Sequence, residues 1–324
     1  MLAEIKNKIL SGGQITFAEA LQLTQLPNKQ LFNLFNTARQ VREHFWGNSI
    51  EFCSIINAKS GHCSENCNFC AQSIHFPTKI KTYPLLTPQK ILAKAREAEA
   101  KGVQRFSLVT SGLKPTPSDF LHILKIFRIL KEETKLALCA SLGLINEAQA
   151  VQLAAAGVST YHHNLESSEN FFPQICTTHT YKARLDTILA AQKANLRVCA
   201  GGLLGLGETW NDRLQLAFKL RELQVASLPL NILQPIKGTP LANIKPPQPL
   251  EILKAIALFR LILPQCELRL CGGRQALHSL QPLAFLAGVN ALLVGNYLTT
   301  TGKKINDDQQ TLKDLGLQVG GRAK

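Results

Sequence analysis

Residues 52–70 read FCSIINAKSGHCSENCNFC, an apolar stretch that runs directly into a loop with three cysteines. The first seven residues are rich in apolar and β-branched side chains, which predicts a β-strand. Cys63, Cys67 and Cys70 then follow within a segment of eight positions. Loops that follow the strands of α/β proteins often carry the functional residues, so this strand bears on the fold and its loop is a candidate functional site.

The alternation of strand and helix that begins here continues along the chain. Further strands are predicted at 104–110, 135–141, 158–165, 196–202, 225–233, 267–273 and 290–295. Helical windows separate them; one begins at Pro88 after a Thr87 cap, and another runs from an Asn146 cap to Gly157. Eight strands that alternate with helices favour parallel pairing, and eight is the number that closes a barrel. We therefore predict an α/β fold of the (βα)8 TIM-barrel type.

An open doubly wound sheet is the alternative fold. It is less favoured because no Gly-rich dinucleotide fingerprint follows the first strand. The later stretch GGLLGLGE, at 201–208, is rich in glycine, but its spacing fits neither that fingerprint nor a P-loop.

Three segments are predicted along the chain. Residues 1–50 lack strand signals, and Thr16 with Glu19 forms a capping-box pattern, so helices are expected to pack here outside the barrel. Residues 51–318 form the barrel, and 319–324 form a C-terminal tail.

Composition narrows the function classes. The chain has 324 residues and a net charge of +14, but its basic residues are scattered, which favours a solvated surface over nucleic-acid binding. No apolar run reaches about 18 residues, and no signal-peptide pattern is present, so a cytoplasmic location without membrane insertion is expected. Nine cysteines in a reducing compartment indicate metal or redox chemistry instead of disulfides.

The cysteine loop admits two metal sites. A structural zinc site needs four ligands, and His62 or His75 is near enough in sequence to complete one. A 4Fe-4S cluster held by only three thiolates instead leaves one iron open for a chelating ligand.

The C-x3-C-x2-C spacing, with Phe69 before the last cysteine, resembles the radical S-adenosylmethionine superfamily. In that superfamily the open iron binds the amino and carboxylate groups of S-adenosylmethionine, and an electron from the cluster cleaves it to methionine and a 5′-deoxyadenosyl radical. Further stretches resemble the biotin synthase family within it, a likeness that runs from about residue 25 to 318. These are NAKSGHCSENCNFCAQS (57–73), YHHNLESS (161–168), ICTTHTYKARLDTI (175–188), CAGGLLGLGET (199–209), PLNILQPIKGTPLA (229–242) and LCGGRQAL (270–277).

The resemblance implies the conversion of dethiobiotin to biotin by radical sulfur insertion. It implies that Cys63, Cys67 and Cys70 hold the 4Fe-4S cluster. It places S-adenosylmethionine against Phe69, Asn164, Glu166 and Arg184. It assigns dethiobiotin to Lys59, Asn164 and Asn231, with Asn164 also counted as catalytic.

The family also carries an auxiliary cluster that donates sulfur, usually a 2Fe-2S cluster held by three cysteines and one arginine. Cys139, Cys199 and Arg269 match that pattern, but Ser107 stands where the remaining cysteine is expected. Two additional thiols, Cys53 and Cys271, lie on predicted strands. Period-two alternation puts Cys271 on the face of Arg269 and Cys53 on the face of Asn57 and Lys59.

We therefore expect a variant of the family in which Cys53, Cys139, Cys199 and Cys271 hold a larger, four-iron cluster. Arg269 is then a neighbouring cation instead of a ligand. Cys176 and Cys266 are interpreted as structural, and His162 and His163 as satisfied polar side chains near the pocket.

The resemblance further implies a homodimer and an acidic flavodoxin or ferredoxin as electron donor, which suits the positive net charge. Two other functions remain open. One is a related barrel enzyme of the hydrogenase-maturation or pyrrolysine pathways, against which Cys139 and Cys199 argue. The other is an iron-sulfur or zinc protein that binds nucleic acid.

Overall fold

The computed structural model describes residues 1–320, and a closed parallel β-barrel lies at its centre. The strands are β1 (Ser49–Lys59), β2 (Arg105–Thr110), β3 (Ala137–Ser141), β4 (Thr160–His162), β5 (Arg197–Cys199), β6 (Gly202–Leu204), β7 (Ser227–Ile232), β8 (Glu267–Leu270), β9 (Ala291–Leu293) and β10 (Gln318–Val319). They neighbour one another in the order β1-β2-β3-β4-β5-β7-β8-β9, and β9 pairs with β1 to close the barrel. The eight predicted strands and the (βα)8 fold are thereby confirmed.

Helices surround the barrel. They are α1 (Leu2–Leu10), α2 (Phe17–Thr24), α3 (Leu31–Trp46), α4 (Pro88–Ala100), α5 (Pro117–Glu133), α6 (Glu147–Ala155), α7 (Tyr181–Lys193), α8 (Trp210–Glu222), α9 (Pro249–Ile262), α10 (Leu283–Leu286) and α11 (Ile305–Asp314), with short 3-10 helices at Asn28–Gln30, Phe172–Gln174 and Arg274–Leu280. Helix α4 begins at Pro88 as expected, although the Thr87 side chain makes no capping hydrogen bond. Helix α6 has both bonds of a capping box between Asn146 and Gln149.

The N-terminal helices pack outside the barrel, where α3 contacts α9. The predicted capping box of Thr16 and Glu19 is complete, and Glu19 also bonds to Lys8. The predicted boundary at residue 50 falls inside a strand, because β1 already begins at Ser49. The acidic residue Glu51 interrupts the apolar pattern at the start of β1, so the sequence does not reveal where the strand begins. In the structure Glu51 forms buried ion pairs with Arg105 and Arg269, which explains why a glutamate is tolerated in this strand.

The C-terminal end of the described chain also joins the sheet. Strand β10 pairs in parallel with the start of β1, and Val319 is the register partner of Ile50. The predicted boundary between residues 318 and 319 therefore lies within this short strand, and residues 321–324 of the predicted tail lie outside the described residues.

Apolar side chains fill the space between the barrel and its helices, whereas the inside of the barrel also carries buried charged and polar side chains and thiols. In most such barrels, layers of branched apolar side chains fill the interior. Here the inward positions carry glutamate, arginine, serine and cysteine, and a cavity is left at the carboxyl ends of the strands. Within residues 1–320, no helix has both the length and the apolar character needed to cross a membrane.

Candidate active site

A cavity of about 410 Å³ opens at the carboxyl end of the barrel, where the chemistry of such folds is usually found. Surface grooves of about 690 and 940 Å³ lie elsewhere, but no cysteine lines either of them. The predicted site residues that line the cavity are Cys53, Cys67, Phe69, Cys70, Cys139, Asn164, Glu166, Arg184, Cys199, Asn231, Arg269 and Cys271. The structure thus brings together most of the predicted site, with Cys63 and Lys59 outside the lining.

The cysteine loop leaves β1 and folds back on itself at the mouth of the cavity. The Cys70 N–H donates to the Cys67 carbonyl at 2.9 Å, which makes a tight turn, and Cys63 pairs through its backbone with Gln72 and Ile74. Burial raises the pKa of Cys70 to about 11 and also raises the pKa of the half-buried Cys63. These thiols are therefore protonated in the metal-free protein, and metal binding must displace their protons.

Neither histidine proposed for a zinc site joins the cysteines. His62 lies in the left-handed backbone region at φ +54°, and the Nε2 of His75 is 2.9 Å from the Ser64 carbonyl. In the part of the chain that the structure describes, the one group of three side chains able to converge on a metal ion is Cys67, Cys176 and His179. Its members differ from the predicted zinc ligands.

Asn164, Glu166 and Arg184 form one buried polar cluster beside the cysteine loop. Arg184 Nη1 donates to the Asn164 carbonyl at 2.8 Å and lies 3.8 Å from a Glu166 carboxylate oxygen. Burial raises the pKa of Glu166, and Arg184 opposes that rise. Glu166 has φ +69°, a left-handed backbone conformation that is uncommon for a residue with a side chain.

The glycines at 201–202 allow the backbone to approach this cluster closely. The Gly201 N–H donates to Asn164 Oδ1 at 3.1 Å. A Cβ atom on Gly202 would lie 2.5 Å from the Glu166 carbonyl oxygen, so only glycine fits there. The Gly-rich stretch of the sequence therefore supports the site through close backbone packing.

Sequence reasoning missed the residues that fix Arg184. Arg184 Nε donates to His179 Nε2 at 3.1 Å, so the other ring nitrogen, Nδ1, carries the proton of this histidine. That Nδ1 lies 2.6 Å from a carboxylate oxygen of Glu65, which sits between the cysteines of the loop. Glu65 and His179 thus link the cysteine loop to Arg184; both residues lie in stretches that resemble the family, but no local pattern marks them.

Four thiols meet deeper in the cavity, and each comes from a different part of the barrel wall. Cys53, Cys139 and Cys199 lie on β1, β3 and β5, and Cys271 follows the end of β8. Burial raises the pKa of Cys53 to about 11 and raises those of the other three, and thiolates at Cys53 or Cys199 add to the rise at Cys53, Cys139 and Cys271. Cys53 and Cys199 therefore lie within electrostatic range of each other and of both Cys139 and Cys271.

These thiols have few strong partners. The Cys53, Cys139 and Cys271 sulfurs each lie 3.7 to 4.0 Å from a backbone carbonyl oxygen, which is a weak contact. Cys199 lies 3.4 Å from Nδ1 of His162, whose pKa burial lowers to about 4, so this histidine is neutral. Four buried thiols with such weak contacts suit a soft metal cluster.

Ser107 lines the same cavity as the register partner of Cys139. A hydrogen bond from the Ser107 hydroxyl partly offsets the effect of burial on the pKa of Cys139. Ser107 therefore lies beside Cys139 in the cavity, at the strand position where the family pattern has a cysteine.

Buried ion pairs form the floor beneath these thiols. Arg105 Nε donates to Glu51 at 2.9 Å, and its Nη2 donates to Glu267 at 3.3 Å. Arg269 pairs with Glu267 and, at 3.4 Å, with Glu51. Burial opposes ionisation of both carboxyls; the arginines overcome it at Glu267, whose pKa falls, but not at Glu51, whose pKa is raised.

Arg269 is therefore held as a cation. Burial alone would lower its pKa, but Glu267 and the neighbouring thiols raise it well above the usual range. Its Nε is buried and has no hydrogen-bond partner within residues 1–320, and the side chain lines the cavity. An anionic group bound among the four thiols would satisfy this atom.

Lys59 points away from the cavity. Its Nζ forms an ion pair with Asp119 at 2.7 Å, and a register shift between Asn57 and Lys59 interrupts the alternation of β1. Asn57 instead donates to the Leu298 carbonyl at 3.1 Å. The expectation that Lys59 shares a face with Cys53 and Asn57 is wrong, because the irregularity after Asn57 changes the side on which the following residue lies.

Comparisons with known proteins bear on the whole chain. Residues 59–220 match the family model of the Radical SAM superfamily, and residues 229–318 match that of the Biotin and Thiamin Synthesis associated domain. The biotin synthase of Pelotomaculum thermopropionicum is 54% identical, covering 98% of this chain and 100% of that protein. The biotin synthase of Heliobacterium modesticaldum is 51% identical, covering 98% of each.

Solved structures with lower identity show the same fold. Methylornithine synthase superposes with a TM-score of 0.86 at 20% identity, covering 98% of this chain and 97% of that one. The FeFe-hydrogenase maturase of Carboxydothermus hydrogenoformans superposes with a TM-score of 0.83 at 17% identity, covering 99% of this chain and 79% of that one. At these identities the likeness extends to the barrel fold alone.

The floor of the cavity yields a prediction for stability. Glu267→Leu leaves Arg105 and Arg269 buried with only Glu51, so the free energy of unfolding should fall by about 3–5 kcal/mol. Urea denaturation of the cluster-free protein, followed by circular dichroism, measures this loss. The control is Arg197→Ala, which removes a half-exposed partner 3.8 Å from Glu267 and should cost less than about 1 kcal/mol. Equal losses in the two variants would contradict the assignment of the floor.

Proposed function

The chain belongs to the biotin synthase family of the radical S-adenosylmethionine superfamily, and we propose that it converts dethiobiotin to biotin as a sulfurtransferase. One observation supports this most strongly. A single cavity has Cys67 and Cys70 of the three-cysteine loop at its mouth and four further thiols at its base. Radical formation and sulfur donation need two separate groups within reach of one substrate. The cavity provides thiols for both.

Cys63, Cys67 and Cys70 are the residues that would hold the 4Fe-4S cluster at the mouth. Cys67 and Cys70 face the cavity, and Cys63 lies on the same loop at its edge. When bound, this cluster and S-adenosylmethionine supply the radical that removes hydrogen from an unactivated carbon. The protein must hold the cofactor in place and keep water out, and the buried walls of the barrel serve both needs.

Asn164, Glu166 and Arg184 would bind S-adenosylmethionine, together with Phe69. Glu166 and Arg184 offer a carboxylate and a guanidinium, which suit the charged amino and carboxylate groups of the cofactor. Hydrogen bonds from Arg184 to the Asn164 carbonyl and from the Asn164 amide to Glu166 hold both side chains before the cofactor arrives. Such preorganisation reduces the entropy lost on binding.

Dethiobiotin would lie between the two clusters, with its ring against Asn164 and Asn231. Asn231 Oδ1 accepts from the Gly272 N–H at 3.0 Å, which fixes the orientation of this amide in the cavity. The apolar lining from Ile55, Val109 and Leu203 suits the hydrocarbon part of the substrate. Lys59 is left out of this assignment because Asp119 already pairs with it outside the cavity.

The auxiliary cluster is assigned to Cys53, Cys139, Cys199 and Cys271. Four thiolates are the usual ligand set of a four-iron cluster, and a bound cluster of this kind supplies the sulfur atom. A 2Fe-2S cluster on Cys139, Cys199 and Arg269 would instead require Arg269 to leave its carboxylate partners and lose a proton. Such a change is costly for an arginine whose pKa is already raised.

A related radical barrel enzyme is the second candidate function, since methylornithine synthase and a hydrogenase maturase share the fold. The four inner thiols favour sulfur insertion over those reactions. We further infer a homodimer, an acidic flavodoxin or ferredoxin as electron donor and a cytoplasmic location. The net charge of +14 supports the acidic partner, and nine free cysteines support a reducing compartment.

The mouth cluster is tested by single Cys→Ala substitutions at 63, 67 and 70. Each should abolish release of 5′-deoxyadenosine from S-adenosylmethionine in the presence of dithionite, because two thiolates do not retain the cluster. Chromatography of the products measures the release. Cys266→Ala, which removes a buried thiol bonded to the Val225 carbonyl, is the control and should retain it. Release at the normal rate from the Cys70→Ala variant would refute the radical assignment.

The auxiliary cluster is tested by its iron content. Anaerobic reconstitution should give about eight irons per chain, against about six for one four-iron and one two-iron cluster. Mössbauer spectra should show four-iron signals only, and Cys53→Ala and Cys271→Ala should each lose the auxiliary signal. A 2Fe-2S component that persists in both variants would return the site to Cys139, Cys199 and Arg269.

The link from Glu65 through His179 yields a prediction for cofactor affinity. His179→Ala removes the acceptor for Arg184 Nε, so the dissociation constant of S-adenosylmethionine should rise about tenfold, or ~1.4 kcal/mol. Equilibrium dialysis with the reconstituted protein measures it. His179→Gln keeps an acceptor and should restore much of the affinity. Wild-type affinity in the alanine variant would show that His179 does not position Arg184.

A further inference from the structure

Cys176 lies against a cysteine of the mouth loop, although the two are far apart in sequence. Its Sγ is 3.7 Å from Sγ of Cys67, and both side chains are buried. Cys176 does not line the reaction cavity, so it contacts Cys67 from the protein side. Sequence reasoning assigned this thiol a merely structural role.

The contact is fixed by two loops that dock on each other. The Asn68 N–H donates to the Ile175 carbonyl at 2.9 Å. In the other direction, the Thr177 N–H donates to Asn66 Oδ1 at 3.0 Å. These bonds bracket Cys67 on one loop and Cys176 on the other, so the sulfur–sulfur distance does not depend on the thiols alone.

The protonation of the neighbouring groups determines which of the two sulfurs can donate a hydrogen bond to the other. A cysteine bound to iron has no proton, so Cys67 cannot donate once it is a cluster ligand. His179 Nδ1 carries a proton and lies 3.2 Å from the Cys176 sulfur, with its main bond to Glu65. In the metal-free protein Cys67 donates to the Cys176 sulfur, and this bond, together with those from His179 and Thr178, lowers the pKa of Cys176 to about 3. Once iron replaces the proton of Cys67 this donor is lost, so Cys176 can accept from His179 and direct its own S–H toward the Cys67 thiolate. Its other close neighbours, Asn66 Oδ1 and Thr178 Oγ1, both lie at 3.5 Å.

We propose that Cys176 donates an S–H···S hydrogen bond to the iron-bound Cys67 thiolate and raises the reduction potential of the mouth cluster. A donor to a ligand sulfur stabilises the reduced, more negative form of a cluster. This inference rests on the proposed function, because it requires a cluster on Cys63, Cys67 and Cys70. It makes Cys176 a positioning residue that acts through Cys67.

A separate metal site on Cys67, Cys176 and His179 fits the contacts less well. The three ligand atoms lie within 4.8 Å of one another. However, both nitrogens of His179 are engaged, Nδ1 by Glu65 and Nε2 by Arg184. A metal on this histidine would break one of these bonds and disturb Arg184.

The test is a potentiometric titration of the mouth cluster, followed by electron paramagnetic resonance. The signal is assigned to this cluster by its loss in the Cys70→Ala variant. Cys176→Ala removes the donor and should shift the midpoint potential to a more negative value. Cys176→Ser keeps a donor and should give a potential closer to that of the wild type. Cys266→Ala removes a buried thiol elsewhere and should leave the potential unchanged.

The outcomes are distinct. An unchanged potential in Cys176→Ala would overturn the inference, and so would loss of the Cys70-dependent iron in that variant, since this would make Cys176 a ligand or a structural requirement. An equal shift in the alanine and serine variants would also overturn it, because a hydroxyl can still donate. Failure of the proposed function looks different: the wild-type protein would then show no Cys70-dependent signal at all.

Discussion

The active-site cavity depends on a cluster of buried charges at the floor of the barrel. Arg105 and Arg269 share Glu51 and Glu267, so two cations face two carboxyl groups in a space where most such barrels place apolar side chains. Each charge alone would be costly to bury, but together they satisfy one another. The cluster closes the lower end of the barrel without filling the space above it. Thiols can therefore occupy the next positions of the strands.

The rest of the site follows from the geometry of parallel strands. Alternate residues point inward, so Cys53 lies one inward position beyond Glu51 on β1, and Cys271 lies one beyond Arg269. The loop after β1 then brings the three cysteines over the mouth, and helix α7 brings Arg184 there. The same floor that supports the thiols also holds Arg269 protonated beneath them. A cationic floor stabilises an anionic cluster without a bond to iron.

The sequence was sufficient for the features that rest on local or periodic signals. All eight barrel strands, the capping box at Thr16 and the helix cap at Asn146 are such features. Long-range contacts explain the rest. Glu51 obscured the start of β1 because its arginine partners are distant in sequence. The irregularity near Lys59 reversed its side of the strand, and the contact of Cys176 with Cys67 arises only when two loops dock.

The central claim is that one cavity combines radical formation with sulfur donation. The most direct measurement is mass spectrometry of the products from the reconstituted protein incubated anaerobically with dethiobiotin, S-adenosylmethionine and dithionite. If the clusters are rebuilt with sulfide enriched in a heavy sulfur isotope, this account predicts biotin that carries the heavy isotope, formed together with 5′-deoxyadenosine. Release of 5′-deoxyadenosine without any biotin would contradict it.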